Sequence, residues 1–304
     1  MPFLADMSGI ILCVLMNVGI FTCFKMYARF KVNAFHAITI NYLVCVITGL
    51  ISAGNGSMAF VTKTDEAWWW MALFLGFVFI GTFYLMAKTT EVYSMTVSSI
   101  ASKMSLIIPV LSSIFIIGVQ AKTYTSLNII GMVLALPAIF LSSYKKGGDK
   151  KAFKFSWELM LPLLVFVLGG LIDSSINYSN HFLLKADEKA DFSIMIFLFA
   201  GITGSILMLL KREPLKLKSV IAGLALGIIN FFSIYFLLVG LSSFNNDGAF
   251  VYPLINVGII VISSLVSIIF FRERLSAKNQ IGIALAVLAI FLISYQEILS
   301  YGAG

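Results

Sequence analysis

The sequence has 304 residues, of which 60 % are hydrophobic and only 12 % charged, and its mean hydropathy is +1.00. A soluble domain carries roughly a quarter charged residues, so this composition excludes a water-soluble globular fold and points to an integral membrane protein. The formal net charge of +7 reads as a topology signal and not as a nucleic-acid footprint, because the basic residues flank apolar runs.

Ten apolar runs follow one another at 7–24, 35–53, 67–88, 93–119, 125–143, 158–182, 191–210, 217–240, 247–271 and 277–297. Most are close to the ~20 residues that a helix needs to cross hydrocarbon. The expected fold class is all-α: a polytopic membrane protein of ten transmembrane helices. Barrel strands are excluded, since they need only about 10 residues of period-two alternation. The first run has no basic residue ahead of it and no evident small-residue cleavage site, so it reads as a span and not as a removed signal peptide. It carries Asn17. Cys13, Cys23 and Cys45 lie in apolar segments without metal-ligand or redox spacing and read as packing.

The second run holds the amide Asn41, and Asn55-Gly56-Ser57 behind it fits a glycosylation sequon, a short and weak pattern. Trp68-Trp69-Trp70 opens the third run as an interfacial anchor, and Tyr84 lies further along it. The fourth run contains the most unusual residue of the chain. Lys103 is about ten residues, or ~15 Å, into that helix, close to mid-bilayer, where a lone ammonium costs a few kcal/mol or more unless it meets water, an anion or a carboxylate. Ser94, Thr96, Ser98, Ser99, Ser102 and Ser105 surround it, and 98, 102, 105, 109 and 112 share one helical stripe. Such a stripe can line a cavity or let helices approach closely, and Lys103 reads either as a cavity residue or as a paired structural lysine.

The sixth run carries Asp173, the only acidic residue well inside a span, ~22 Å from its entry and about 7 Å deeper than Lys103. Residues 173, 177 and 180 share a face, so Asp173 and Asn177 read as cavity residues, whereas Asn180 and His181 read as a wet helix end. Asn17 is the first-half counterpart of Asn177 through a shared spacing of eight to Lys25 and Lys185. Asn230 and Tyr235 lie in the eighth run and Asn256 in the ninth. The buried amides Asn41, Asn230 and Asn256 suit either substrate binding or interhelical hydrogen bonding. Asn245-Asn246-Asp247-Gly248 reads as the cap of the ninth helix, and Glu273 as an interfacial structural charge.

Sixteen of the Lys and Arg residues lie in the odd-numbered connections and four in the even-numbered ones. By the positive-inside tendency the odd connections face the cytoplasm, and both termini lie on the other side of a plasma (inner) membrane. The second half also repeats the first at an offset of 151 residues: Gly76 matches Gly227, Tyr84 matches Tyr235, and Asn128-x-Ile130-Gly131 matches Asn279-x-Ile281-Gly282. With five spans in each half, equivalent helices must cross in opposite directions. The expected organisation is two inverted five-helix repeats, 1–144 and 158–304, joined by a basic cytoplasmic linker at 145–157. Such a pair can exchange conformations about a midplane site between the halves.

The segment Glu273-Arg274-Leu275-Ser276-Ala277-Lys278-Asn279-Gln280-Ile281-Gly282 resembles the closing pattern of the EamA-like drug/metabolite transporter superfamily, and Pro109 resembles that family's helix-centre proline. The 5+5 organisation is similar over essentially the whole chain. Two positions depart from it: Lys122 stands where the second half has Glu273, and Ile260 stands opposite Pro109. The resemblance implies a ten-helix carrier and suggests export.

The expected function is secondary-active transport of small polar or amphipathic metabolites, such as amino acids, by alternating access. The alternative is an uptake carrier or exchanger of the same fold for a metabolite, nucleotide sugar or organic anion; a channel or a receptor without turnover would share that fold. The expected substrate-binding residues are Lys103, Asp173, Asn177, Asn17, Ser99, Ser102, Tyr84, Tyr235, Asn230 and Asn256. Proton coupling through Asp173 stays open. An enzyme is not expected: only His36 and His181 are present, and HExxH, GxSxG and P-loop motifs are absent. No catalytic residue, metal or cofactor is expected. The partners are the bilayer and a small-molecule substrate, with the chain a monomer or a homodimer and no nucleic acid bound.

Overall fold

A computed structural model describes residues 2–52, 59–112, 125–144, 157–185, 188–244 and 248–302. The described residues form helices and no strand: α1 (Pro2–Phe30), α2 (Ala34–Ser52), α3 (Ala67–Val92), α4 (Met95–Met104), α5 (Ile107–Ser112), α6 (Ser126–Ser142), α7 (Trp157–Phe182), α8 (Lys189–Lys211), α9 (Leu217–Ser243), α10 (Gly248–Ile269), α11 (Ala277–Ile293) and α12 (Tyr295–Gly302). Seven of these, α1, α2, α3, α7, α8, α9 and α10, are long and apolar enough to cross a membrane. The chain is a helical membrane protein. Helices α6 and α11 have 17 residues each, about 26 Å of rise.

The fourth apolar run departs from the expected single helix. It is divided between α4 and α5, with Ser105 and Leu106 in a turn between them. Pro109 supplies the cause: it has no N–H for the carbonyl four residues back, which belongs to Ser105, and its ring crowds that oxygen. The Ser105 carbonyl is met instead by the Ile108 N–H at 2.9 Å. At the other end of α4 the Ser94 hydroxyl caps the helix by accepting from the Val97 N–H at 3.1 Å.

Helices α2, α3, α8 and α9 interlock, with α2 against both α8 and α9 and α3 against α8. Two glycines 151 residues apart stand at close approaches within this group. A Cβ on Gly76 of α3 would lie 2.5 Å from the Phe199 Cβ of α8, and one on Gly227 of α9 would lie 2.6 Å from the Val44 Cβ of α2. Around this group α1 packs on α9 and α10, and α7 packs on α3, α4 and α5. Polar ties join its connections at both ends. At one end Glu188 meets Lys63 at 3.4 Å and Lys185 meets Glu66 at 3.6 Å. At the other, Glu213 accepts from Asn33 at 2.7 Å and lies 3.5 Å from His36, while Lys218 donates to the carbonyls of Phe30 and Lys31.

Helices α6 and α11 form a separate antiparallel pair. Each opens with a capping box in which the third residue is asparagine, Asn128 after Thr125 and Asn279 after Ser276. A box of this kind satisfies helix-end donors that would otherwise lack partners. The pair docks onto α4 through Ile100, Met104, Ala135, Ile139, Ala286 and Ile290, all buried. One side of α4 is thus held by an apolar seam, leaving its Ser99 and Lys103 side to face other helices. The sequon at 55–57, Lys122, the linker up to residue 156 and the cap residues 245–247 lie outside the described residues.

Candidate functional site

Lys103 sits two residues before the break between α4 and α5. Its ammonium donates to the Asn17 Oδ1 of α1 at 3.3 Å, and Asn17 in turn donates to the Cys13 carbonyl one turn away at 3.0 Å. The Asn17 amide is therefore oriented by its own helix, oxygen toward the lysine. Asp173 of α7 and Cys13 are both near enough to act on the Lys103 charge, and Tyr252 of α10 is near enough to feel Asp173. Four helix elements, α1, α4, α7 and α10, meet around one cation.

The break itself contributes a donor. With the helix interrupted, the Ser105 hydroxyl donates to the Ser102 carbonyl at 2.6 Å and reaches the Asp173 carboxylate at 3.5 Å. Helix α7 comes this close because Gly169, one turn before Asp173, presents no side chain to Ser105: a Cβ there would lie 3.2 Å from the Ser105 hydroxyl. Asp173 is exposed although it lies mid-helix, with the Ser105 hydroxyl beside its carboxylate. Ser99, one turn from Lys103, is tied to Ser263 of α10 at 2.7 Å, both residues being fully buried.

The arrangement brings Lys103, Asp173, Asn17, Ser99 and Ser102 together at the meeting of α1, α4, α7 and α10. Asn177 lies one turn beyond Asp173 on α7, and Asn256 is buried on α10 one turn from Tyr252. Asn230 is elsewhere: it donates to Asn41 at 3.1 Å and to the Cys45 sulfur at 3.6 Å, tying α9 to α2. The two tyrosines do not share the cluster. Tyr84 packs edge-on to Phe35 and lines a recess of about 420 Å³ with Lys31, Lys88 and Lys211, whereas Tyr235 is 48 % exposed beside Phe232 and Phe236. Glu273 forms an ion pair with Lys25 and accepts from the Ser267 hydroxyl.

Cys13, Ser263 and Tyr252 belong to the cluster without having been singled out from sequence as site residues. Cys13 had a readable signal, since it precedes Asn17 by four residues and so shares its face. Tyr252 and Ser263 had none, because their role depends on which helix stands beside α4. Among the described residues no group of three His, Cys, Asp or Glu side chains has the arrangement of a metal site.

No family model matches the sequence. An uncharacterized protein of Haemophilus influenzae is 26 % identical over 299 residues, spanning 96 % of this chain and 99 % of its own. A crystal structure of another protein superposes with a TM-score of 0.60 at 15 % identity, covering 96 % of this chain and 97 % of that one. The architecture is thus shared along nearly the full length, at an identity that speaks to fold alone.

Proposed function

We propose that the protein is a secondary-active carrier of small polar or amphipathic metabolites, such as amino acids, working by alternating access and oriented for export from the cytoplasm. The observation that carries this reading is Lys103 at the break of α4, hydrogen-bonded to Asn17 at 3.3 Å and facing Asp173 on the neighbouring helix. Interrupted helices with polar groups at the break are where transporters bind substrate and coupling ions, because irregular backbone in a membrane is tolerated where it lines a cavity. An intramembrane charge is expensive and is kept where it serves a pathway. Opposite charges on α4 and α7 suit a zwitterion, with Lys103 meeting a carboxylate and Asp173 an ammonium.

Two inverted five-helix repeats supply the motion in this proposal. The reading is supported by Gly76 and Gly227 serving the same role in α3 against α8 and in α9 against α2. It is supported again by the antiparallel pairing of α6 with α11, whose bounds lie 151 residues apart. The resemblance to EamA-like drug/metabolite transporters, a plasma-membrane location and termini outside the cytoplasm belong to the same reading. An organic-anion carrier of the same fold is the second reading, favoured by the single cation at the centre of the cluster.

Counterflow in proteoliposomes tests the carrier. A thermal-shift screen against amino acids, nucleosides, sugars and organic phosphates selects the solute, and preloaded unlabelled solute should then accelerate uptake of its labelled form. Uptake that shows neither saturation nor counterflow for any hit overturns the proposal in favour of a channel or a receptor.

A further inference from the structure

The basic end of α1 and the residues just after α10 border a second, open recess, separate from the Lys103 cluster. Lys25, Ala28 and Arg29 face Phe270, Phe271 and Arg272 across about 720 Å³. That volume lies within the roughly 300–1,000 Å³ of sites for small ligands. Three cations line the recess. A carboxylate of the chain already sits on one of them: Glu273 pairs with Lys25 and is held by Ser267, the two charged side chains being 14 % and 21 % exposed. Arg29 and Arg272 are exposed, and among the described residues neither has an acidic partner.

The recess lies at one end of the contact between α1 and α10, which the cluster borders further along. On α1, Lys25 is eight residues from Asn17, or ~12 Å along the axis. On α10, Ser267 lies one turn from Ser263, whose hydroxyl meets Ser99 a turn from Lys103. On the carrier reading, Lys25, Arg29 and Arg272 stand at this end of the contact between α1 and α10.

We propose that this recess is a docking site for the carboxylate of a small organic acid or zwitterion, held by Arg29 and Arg272, with Glu273 as the internal carboxylate that a bound solute displaces from Lys25. Guanidinium groups match a carboxylate through two parallel hydrogen bonds, and Phe270 and Phe271 offer an apolar wall for the remainder of the solute. The excess of positive charge raises the local concentration of anions over neutral or cationic solutes. The role of the recess as a station on a transport path rests on the carrier reading; its ligand chemistry does not.

The test uses the full chain in phosphatidylcholine nanodiscs, with 4-fluorophenylacetate as the probe and fluorine NMR line broadening as the readout. The acid is expected to broaden while 4-fluorobenzylamine stays sharp. Combined Arg29→Gln and Arg272→Gln should weaken acid binding about tenfold, and Glu273→Gln, which frees Lys25 and keeps a partner for Ser267, should strengthen it several-fold. Equal broadening by the amine, undiminished binding in the arginine variant or weaker binding in Glu273→Gln overturns the proposal. So does binding lost in Lys103→Ala but kept in the arginine variant, which places the acid at the inner cluster. Probe binding abolished by phosphatidylglycerol in the disc assigns the recess to a lipid headgroup and overturns it equally. Loss of counterflow with these binding results intact sinks the carrier reading and leaves the acid site standing.

Discussion

Asn128 and Asn279 hold the same position in two antiparallel helices, and each donates across the pair to the end of the other. Asn128 reaches the carbonyls of Leu292 and Ile293 at 3.1 and 2.8 Å. Asn279 reaches those of Ser142 and Tyr144 at 2.6 and 3.0 Å. Each side chain thus does two tasks, closing the capping box of its own helix with its oxygen and satisfying the last turn of its partner with its nitrogen.

That double role makes the two positions unequal under mutation. Asn128 is fully buried, so Asn128→Ala leaves carbonyls without donors where water does not reach them, at a cost of about 2–3 kcal/mol. Asn279 is only partly covered and its Tyr144 contact is exposed, so water replaces part of what is lost and Asn279→Ala should cost about 1 kcal/mol. Thermal unfolding of the two variants in one detergent checks the order; Asn279→Ala falling further than Asn128→Ala contradicts it.

Gly76, Gly227 and Gly81 give a packing test with an internal control. Alanine at Gly76 or Gly227 forces a Cβ to within 2.5 or 2.6 Å of a neighbouring Cβ, and overpacking of this kind costs about 1–3 kcal/mol. Gly81 lies in the same helix as Gly76 with nothing within 4 Å of its Cβ position. There alanine should be neutral or stabilise by up to about 1 kcal/mol through helix propensity. Melting temperatures that fall alike in all three variants would show that the close approaches do not govern stability.

The helical class was legible in the sequence because it rests on run length, and the repeated Asn-x-Ile-Gly marked α6 and α11 as equivalent; that they pair with each other was not legible, since equivalence says nothing of contact. Lys103 and Asp173 were legible for a different reason, namely that charge inside an apolar run is costly wherever the run packs. The break after Met104 could have been read from Pro109 and the Ser105 carbonyl four residues before it. The separation of Tyr84 and Tyr235 from the cluster could not. Their equivalence in the repeat fixes a relation between two helices, whereas membership of a site depends on helix rotation and on the third helix that covers each face. Asn230 shows the same limit, since an amide that faces Asn41 has the same local sequence signature as one that faces a cavity.

The Glu188 carboxylate should make the connection between α7 and α8 sensitive to acid. The Lys185 backbone N–H donates to it, and Lys63 and Lys185 add their charges, holding its pKa below the usual carboxylate value of about 4.5. A group whose folded pKa is depressed contributes stability above its unfolded pKa and loses it as pH falls through the folded value. Wild type should therefore melt higher than Glu188→Gln at pH 7, with the gap beginning to close below about pH 4.5 and vanishing once the folded carboxylate is protonated. A gap that is constant down to pH 3 would assign the difference to packing and not to charge.

A transport role and a structural role for Lys103 differ in what an apolar replacement of equal length does. If the ammonium only holds α4 to α1 through Asn17, Lys103→Met should lower stability and leave the remaining molecules active. If it binds solute, the replacement relieves the cost of an embedded charge, so the melting temperature is kept or raised while saturable flux falls by more than tenfold. Asp173 keeps the Ser105 hydroxyl at 3.5 Å when the lysine is removed, and Lys103→Met combined with Asp173→Asn controls for the carboxylate left behind. Asp173→Asn keeps the shape and removes the proton site, and it should abolish flux driven by a pH gradient; unchanged pH-driven flux sinks proton coupling through this residue. Tyr84→Phe and Tyr235→Phe lie outside the cluster and should leave flux within about twofold, since a lost hydroxyl matters to binding chiefly where it touches the solute. The proposed site fails if the tyrosine variants lose flux and Lys103→Met retains it.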